Sequence, residues 1–295
     1  MVLVPRSAVK PLPDIAAMRF ARARMFGMVA EPEPVSDLAP ELGRPRLLRQ
    51  QWRDVAFLHW AVRPEQVGPF LPRGTRPDVL DGHTYVGLVL FRMVGTGFGR
   101  GPPLPWLGTF LETNVRLYSV DETGRRGVVF LSLDADRAPI VAAARVGFGL
   151  PYRWARMRVA DDGGALRTYT TSLRWPGVRA SSKVVIRPGE DLVTGPLESF
   201  LTARWGLHTT RFGRTWYLPN SHEPWPLRAA DLVEIDDGLV ASVGLRNAIA
   251  DSDGRQRRPD HVAFSPGVSA EFGRPRPATP HTRGGAATRH GRPMC

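Results

Sequence analysis

The stretch FLETNVRLYSV, residues 110–120, alternates like a β-strand but has an unusual polar face. Successive side chains of a strand point to opposite faces, and one face here suits an apolar core: Leu111, Thr113, Val115, Leu117 and Ser119. The other face carries an acid, an amide, a base and a phenol beside one apolar ring: Phe110, Glu112, Asn114, Arg116 and Tyr118. That polar face meets either bulk water or the inside of a pocket, and the residues alone leave both alternatives open.

Length and composition indicate a globular protein with one large domain or two ordinary ones. The chain has 295 residues, of which 42% are hydrophobic, so a sizeable core is available. No apolar run approaches the roughly 20 residues that a membrane-spanning helix needs, and the N-terminus lacks the apolar block of a secretory signal. The single cysteine, Cys295, excludes an internal disulfide framework and a cysteine metal cluster. We therefore expect a cytoplasmic protein with no transmembrane segment, no metal and no cofactor.

The net charge of +12 raises the question of a nucleic-acid partner. The excess of basic residues is concentrated in the two ends of the chain, and the long middle is close to balanced. Arginine supplies almost all of it, since Lys10 and Lys183 are the only lysines. This pattern is typical of a GC-rich coding sequence, and it favours a solvated surface over a nucleic-acid site.

Three regions are predicted along the chain. Residues 1–45 form a flexible N-terminal extension with a Pro-rich linker, and residues 269–295 form a disordered tail rich in Arg, Pro and Gly. Residues 46–268 form a single β-barrel-like domain.

Within that domain the periodicity predicts mostly β-strands. The predicted strands cover 54–62, 84–94, 110–119, 124–136, 153–160, 166–175, 181–188, 214–225 and 238–245. The predicted helices cover 64–72, 138–149 and 195–206, and each has a proline in its first turn. The chain lacks sustained β–helix–β alternation. The expected fold class is therefore mainly β (α+β), with a largely antiparallel sheet that is closed or highly curved and carries two or three packed helices.

Several collinear stretches resemble a known family. They are FLHW (57–60), YVGLVLFRM (85–93), FLETNVRLYS (110–119), GVVFLSLDAD (127–136), ARVGFGLPYRWARM (144–157), GPLESFLTARW (195–205) and HEPWPL (222–227). In order and spacing they resemble the bacterial YqjF-like family over residues 46–250. That family distantly resembles acetoacetate decarboxylase, and the resemblance implies a cone-like, mostly antiparallel β-barrel with an internal cavity.

The resemblance fails at the residue that carries decarboxylase chemistry. In acetoacetate decarboxylases a Gly-x-Pro-Lys-Lys segment supplies a Schiff-base lysine. The comparable segment here is GLPYRW, where Gly149 and Pro151 match but Tyr152 and Arg153 replace the lysines. A Schiff base needs a primary amine that can lose its proton, and arginine stays charged in proteins. The covalent chemistry is therefore not implied.

The polar face of residues 110–120 supplies the main candidate site. If it lines the implied cavity, Arg116 binds a carboxylate, Asn114 orients a carbonyl, and Glu112 donates or accepts a proton. The Cα atoms of Glu112 and Arg116 are then about 13 Å apart, so the two side chains approach opposite ends of one small molecule. The alternative is a solvated face on which both charges pair with neighbouring strands.

Three further residues are candidates outside that strand. Tyr152 follows the GLP turn and could act at the barrel mouth as a catalytic group. Arg145 could bind substrate there, or could form an ion pair with Asp134 or Asp136. His222 is expected in a proline-rich loop, where it serves as a general base or hydrogen-bonds the loop backbone.

Two functions remain open from the sequence. The first is an enzyme that acts on a small organic acid by acid–base, lyase-like chemistry without a Schiff base. The second is a non-catalytic binding or sensor protein on the same scaffold. The sequence indicates no nucleic-acid partner and leaves a homo-oligomer open.

Overall fold

A computed structural model describes residues 30–163 and 165–278. Thirteen strands lie in this described part of the chain: β1 (Leu48–Val62), β2 (Thr75–Pro77), β3 (Thr84–Phe98), β4 (Phe110–Asp121), β5 (Arg126–Ala135), β6 (Tyr152–Asp161), β7 (Arg167–Leu173), β8 (Ser181–Asp191), β9 (Gly206–Arg211), β10 (Arg214–His222), β11 (Arg228–Asp237), β12 (His261–Phe272) and β13 (Arg276–Pro277).

The helices of the described residues are few and short. They are α1 (Pro64–Val67), α2 (Ala138–Phe148), α3 (Pro196–Thr202) and α4 (Leu239–Ser242), with 3₁₀ turns at Gly68–Phe70 and Arg246–Ala248. A proline stands at the first or second position of α1, α2 and α3, where its missing N–H costs no helical hydrogen bond. Helix α2 ends at Gly149, whose φ of 68° is a left-handed conformation that favours glycine.

One hydrogen-bonded sheet contains all thirteen strands, in the order β13-β10-β9-β5-β6-β7-β8-β11-β12-β1-β3-β4-β2. Additional pairings join β4 to β5 and β10 to β12, so the path of neighbours closes on itself. Only the β5–β6 and β5–β9 pairs among the described strands are parallel. The prediction of a mainly β fold with a largely antiparallel, curved sheet and a few helices is confirmed.

The central strands are buried on both faces. One face of β1, β3 and β4 packs into the largest apolar core through residues such as Trp60, Leu88 and Leu117. The opposite faces of β1 and β3 carry Phe57 and Phe91, which belong to a second apolar cluster. This double burial explains why residues 84–94 are apolar at successive positions rather than alternating.

One strand prediction is wrong. Residues 238–245 contain the short helix α4 and a turn instead of a strand. Leu239 and Val240 are fully buried, and the Asp237 carboxylate accepts a hydrogen bond from the Val240 N–H at the helix start. A short apolar run does not distinguish a buried helical turn from a buried strand, because both need only a few apolar side chains.

Three long or medium strands were not anticipated from the sequence: β9, β11 and β12. Strand β12 contains Pro266 and Gly267, which usually interrupt a strand. Gly267 has a φ of 124°, and an added Cβ there would lie 1.9 Å from the Trp52 carbonyl oxygen of β1. Glycine is therefore what allows β12 to pair along β1 through this point.

The packed region extends past both predicted domain boundaries. Before β1, the Trp205 indole N–H donates to the Ser36 carbonyl at 2.9 Å, and Leu42 is only 4% exposed. At the other end β12 continues to Phe272 and β13 pairs with β10. The rest of the predicted extension and tail, residues 1–29 and 279–295, lies outside the described residues. None of the described helices is long and apolar enough to cross a membrane.

Candidate functional site

A cavity of about 200 Å³ lies between the curved sheet and helix α2. Its wall is mostly apolar and receives side chains from β1, β3, β4, β5, β10 and α2. The polar side chains that line it are Gln50, Thr96, Glu112, Asn114, Arg116, Tyr152, Thr202, Arg204, Asn220 and His222. A mostly apolar pocket with a few convergent polar groups is the usual form of a small-molecule site.

The polar face of β4 lines this cavity rather than meeting solvent. Glu112 is 2% exposed and Asn114 is 4% exposed, while Arg116 is half-buried. Their cross-strand neighbours on β3 are Phe91, Val89 and Gly87 respectively. The alternative of a solvated face with cross-strand charge pairs is therefore not the arrangement observed.

Glu112 is a buried carboxyl group held by two neutral donors. The Tyr152 hydroxyl donates to Oε2 at 2.7 Å, and the Asn114 amide donates to Oε1 at 3.4 Å. Burial raises the pKa of Glu112 to about 7, although the hydrogen bonds from Tyr152 and Asn114 lower it. A carboxyl group in this range is populated in both protonation states near neutrality, which suits a general acid or base.

Arg116 has no carboxylate within ion-pair distance among the described residues. Its Nε donates to the Tyr118 hydroxyl at 3.2 Å, its Nη2 donates to the Leu201 carbonyl at 3.0 Å, and its guanidinium lies 5.6 Å from the centre of the Phe57 ring. Only neutral groups thus hold this cation at the cavity wall. The site favours an anion, because a half-buried charge without a counter-charge is costly.

A row of buried side chains stands behind Arg116. The Tyr118 hydroxyl lies 2.8 Å from His59 Nε2, His59 Nδ1 lies 3.3 Å from His261 Nδ1, and His261 Nε2 lies 3.6 Å from a Glu198 oxygen. One proton arrangement satisfies the three contacts of this row: Tyr118 donates to His59, His59 donates to His261, and the His261 N–H faces the Glu198 carboxylate. The Leu201 carbonyl, 3.1 Å from the Tyr118 hydroxyl, then accepts from Arg116 Nη2 instead. Tyr118 then uses its oxygen lone pair to accept the Arg116 N–H, so the row fixes the arginine.

Arg204 adds a second guanidinium that the sequence did not reveal. It is 4% exposed, and its Nη1 forms an ion pair with Asp78. Its guanidinium lies 4.8 Å from the centre of the Tyr118 ring, which also contacts Arg116. The two arginines therefore stand at the same end of the cavity. The Nη2 of Arg204 has no hydrogen-bond partner among the described residues.

His222 is the last residue of β10, not a loop residue as predicted. Its Nδ1 donates to the Glu223 carbonyl at 2.7 Å, so Nε2 is the acceptor in the neutral ring. Three indole rings surround the imidazole, with centre-to-centre distances of 5.6 Å to Trp52, 4.6 Å to Trp205 and 5.1 Å to Trp225. Burial lowers the pKa of His222, which keeps the ring neutral.

Of the two remaining predicted site residues, Tyr152 lines the cavity and Arg145 does not. Tyr152 opens β6 and lines the cavity, and burial raises its pKa well above the usual value. Arg145 does not line the cavity; its Nη1 donates to the Tyr152 carbonyl at 2.7 Å. The proposed Arg145 ion pair is also wrong, because Asp134 pairs with Arg153 and Asp136 pairs with Arg137.

None of the lining residues in the described part of the chain is a lysine. Arg153, at one of the two positions where the resemblance would place a lysine, forms a two-pronged ion pair with Asp134 at 2.6 and 2.8 Å. Lys183 lies on the surface, where it pairs with Glu234. The cavity therefore offers no primary amine from the described residues.

A serine, a histidine and an aspartate also meet elsewhere. His208 Nδ1 lies 2.8 Å from the Ser119 hydroxyl, and its Nε2 lies 3.4 Å from an Asp121 oxygen. All three side chains are at most 1% exposed, and none lines the cavity. The Ser119 hydroxyl also lies 3.2 Å from the Gly127 carbonyl. This cluster joins β4, β5 and β9 inside the protein and is not a hydrolase site.

Sequence reasoning missed Asn220 and Arg204. Asn220 and His222 share one face of β10, inside the strand predicted over 214–225, but the pattern of one strand does not show which face meets the cavity. The position of Arg204 depends on Asp78, which is 126 residues away in sequence and leaves no local signal.

The chain matches a family described as "Uncharacterized conserved protein", DUF2071, over residues 49–269. It is 31% identical to "Uncharacterized protein YqjF" of Bacillus subtilis (strain 168) over 188 residues. The aligned stretch covers 63% of this chain and 76% of that protein.

Two solved structures share the fold at low sequence identity. An enduracididine biosynthesis enzyme, MppR, complexed with pyruvate superposes with a TM-score of 0.52 at 15% identity, over 81% of this chain and 92% of that chain. An acetoacetate decarboxylase-like enzyme from Sphingomonas wittichii RW1 superposes with a TM-score of 0.51 at 12% identity, over 77% and 91%. The expected acetoacetate decarboxylase-like fold is confirmed.

Proposed function

The chain belongs to the DUF2071 family of YqjF-like proteins, and we propose that its cavity binds a small organic acid through Arg116 and transfers a proton with Glu112. The observation that carries this proposal is that neither Arg116 nor Glu112 forms an ion pair with another described residue. Arg116 lines the cavity with no carboxylate partner, and Glu112 lines it as a carboxyl group whose pKa burial raises to about 7. A carboxylate ligand would supply the missing counter-charge for the arginine.

Unpaired polar atoms support a ligand at the same place. Among the described residues, Asn114 Oδ1, Asn220 Oδ1 and Arg204 Nη2 are buried without a hydrogen-bond partner, and all three residues line the cavity. Buried polar atoms are nearly always paired in folded proteins, so each of these needs a partner from beyond the described residues. The carboxylate of a bound acid can accept from Arg204 Nη2, whereas the two amide oxygens need an O–H donor, from a hydroxyl group of the acid or from water.

The proposed chemistry is proton transfer. Glu112 as a carboxylate accepts a proton from the bound acid, and the same group returns it to the substrate or to water. Tyr152 donates to the carboxylate form of Glu112, so it stabilises the base before transfer. The neutral His222 ring, with Nε2 as an acceptor, is the second base in the cavity wall.

The fold relatives give limited support. One of the structures that share the fold was solved with pyruvate, a keto acid. Its likeness to this chain is at 15% identity, so it supports the scaffold's capacity to hold a small acid and does not identify the ligand.

A non-catalytic binding or sensor protein is the second candidate function. The observation that favours it is the cavity wall without a primary amine, since Tyr152 and Arg153 stand where the resemblance would place lysines. A protein that only binds would need Arg116 but not the proton transfer by Glu112.

Calorimetric titration with a set of monocarboxylates and 2-keto acids, followed by NMR of each mixture, tests both candidates. We expect Arg116→Met to weaken acid binding by about tenfold or more, because it removes a charge-assisted interaction. Arg156→Met is the matched control, since Arg156 is exposed on β6 and does not line the cavity.

The Glu112→Gln variant separates an enzyme from a binding protein. If the wild-type protein converts an acid, this variant should bind it and leave it unchanged. Binding without conversion by the wild-type protein would support the second candidate. Equal affinity of the wild-type and Arg116→Met proteins for every acid would overturn both.

A further inference from the structure

The two charged side chains of the proposed site stand far apart along β4. Glu112 and Arg116 are four residues apart on one strand, which separates their Cα atoms by about 13 Å. The pKa of Glu112 responds to Asp134 among the charged groups, whereas Arg116 affects the pKa of His222. A ligand whose carboxylate meets Arg116 therefore needs length to come near Glu112.

The β3 side of the cavity wall, opposite these charged residues of β4, is apolar. On β3, Phe91 and Val89 stand opposite Glu112 and Asn114, and Met93 stands opposite Phe110. All three β3 residues line the cavity and are at most 6% exposed. The β3 side of the path that a ligand chain would follow away from Arg116 thus offers dispersion contacts, and on β4 the polar groups along that path are Asn114 and Glu112.

The end of the cavity beyond Glu112 is lined by apolar groups. Phe110, Leu104 and Phe98 come from β4, the loop before it and the end of β3, and Ala144 comes from α2. Thr96 is the only polar lining residue contributed by β3 or the loop that follows it. The positive charges, Arg116 and Arg204, share the other end through their contacts with Tyr118. The cavity is therefore charged at one end and apolar at the other.

The volume sets the size of the apolar part. An engineered protein cavity of roughly 150 Å³ lined by Leu, Ile and Phe binds benzene, a molecule of six carbon atoms. The cavity here is about 200 Å³. On that scale the whole cavity holds about eight non-hydrogen atoms, so with the carboxylate at the Arg116 end it has room for a tail of roughly five carbon atoms.

We infer that the ligand is a monocarboxylic acid with an apolar tail of roughly five carbon atoms, bound with its carboxylate at Arg116 and its tail towards Phe110 and α2. This inference rests on the proposed function, because it needs the carboxylate at Arg116. The inference goes beyond the proposed function because it excludes short keto acids as the preferred ligands. These would leave the apolar end of the cavity without contacts.

A chain-length series tests the inference. The probes are butanoate, hexanoate, octanoate and decanoate, titrated calorimetrically into the full-length protein at pH 7.5, with 1-hexanol as the uncharged probe. We expect affinity to rise about fourfold for each added methylene until the cavity is full, which is the gain from burying one methylene. Hexanol should bind at least tenfold more weakly than hexanoate.

A pair of variants on α2 locates the tail. Ala144 lines the cavity, so Ala144→Phe should fill the apolar end and weaken hexanoate by tenfold or more while leaving butanoate unchanged. Ala142→Phe is the matched control on the same helix, because Ala142 is exposed and does not line the cavity.

Each outcome decides between the two proposals. Butanoate that binds as tightly as hexanoate would overturn the inference and leave the proposed function standing. Hexanol that binds as tightly as hexanoate would overturn the role of Arg116. If no acid of any length binds, both proposals fail. Loss of hexanoate binding in Ala142→Phe as well would show that α2 does not bound the tail.

Discussion

The two faces of β4 are both buried, yet they have opposite characters. Thr113, Val115 and Leu117 on one face are at most 1% exposed and pack in the largest core. Even the hydroxyls of this face are paired, since Thr113 lies 3.0 Å from the Thr171 hydroxyl and Ser119 lies 2.8 Å from His208 Nδ1. The other face is nearly as inaccessible but leaves Asn114 Oδ1 unpaired and Arg116 without a counter-charge. Burial alone therefore does not distinguish a core from a site, whereas unpaired polar atoms beside a cavity do.

The largest effect is expected from shortening a core side chain. Leu117→Ala should lower the free energy of unfolding by roughly 3–5 kcal/mol, because Leu117 is fully buried and the space it leaves is enclosed. Asn114→Ala, on the opposite face of the same strand, should cost about 1 kcal/mol or less, since its amide donates only one long hydrogen bond. Urea denaturation of both variants measures the contrast. Similar losses would mean that the two faces are equally close-packed.

Glu112 should make stability depend on pH. Its pKa is raised by burial from 4.5 to about 7, so the folded protein binds the proton more tightly than the unfolded chain. The contribution of this group is fully present below pH 4.5 and is lost as the pH rises to about 7, by about 3 kcal/mol.

The Glu112→Gln variant isolates that contribution from those of other groups. The difference in unfolding free energy, variant minus wild type, should grow by about 3 kcal/mol between pH 4.5 and pH 7.5. Urea denaturation at a series of pH values measures it. A difference that stays constant over this range would contradict a raised pKa for Glu112.

A methyl group at Gly87 should disturb the cavity face selectively. An added Cβ would lie 3.0 Å from Arg116 Cγ and 3.1 Å from His59 Cδ2, which is closer than ordinary contact. Gly87→Ala should cost about 1–3 kcal/mol of stability and weaken acid binding by displacing Arg116. Gly68→Ala is the control, because nothing lies within 4 Å of its added Cβ. Unchanged binding in Gly87→Ala would argue against a fixed Arg116.

The smallest effect is expected from the contact between the Thr113 and Thr171 hydroxyls on the core face of β4. Thr113→Val keeps the shape of the side chain but leaves the Thr171 hydroxyl without its partner, at a cost of about 1 kcal/mol. The double variant Thr113→Val with Thr171→Val should recover part of this loss, because both hydroxyls are then removed. Thermal denaturation of the two single variants and the double variant measures this recovery. If the loss of stability in the double variant equals the sum of the two single losses, the contact contributes nothing.

Local patterns predicted those features that depend on neighbours in sequence. The alternation of residues 110–120 separated the two faces of β4 correctly, and the doubly apolar residues 84–94 indicated a central strand. The cavity itself came from the family resemblance, since one strand cannot show what stands opposite its face. Arg204 could not be assigned to the cavity, because Asp78 holds it from far along the chain. Residues 238–245 were wrongly assigned to a strand, because a short apolar run is equally compatible with a buried strand and with a buried helical turn.

The alternation of β4 also has a consequence for how this family can change. Deleting one residue of β4 before Arg116 would rotate every following side chain by half a period, since neighbouring residues face opposite ways. The guanidinium would then take the place of Val115 in the largest apolar core, and Leu117 would face the cavity. Homologous chains should therefore exchange residues within this strand while conserving its length, and their alignment would show insertions only in the turns at either end.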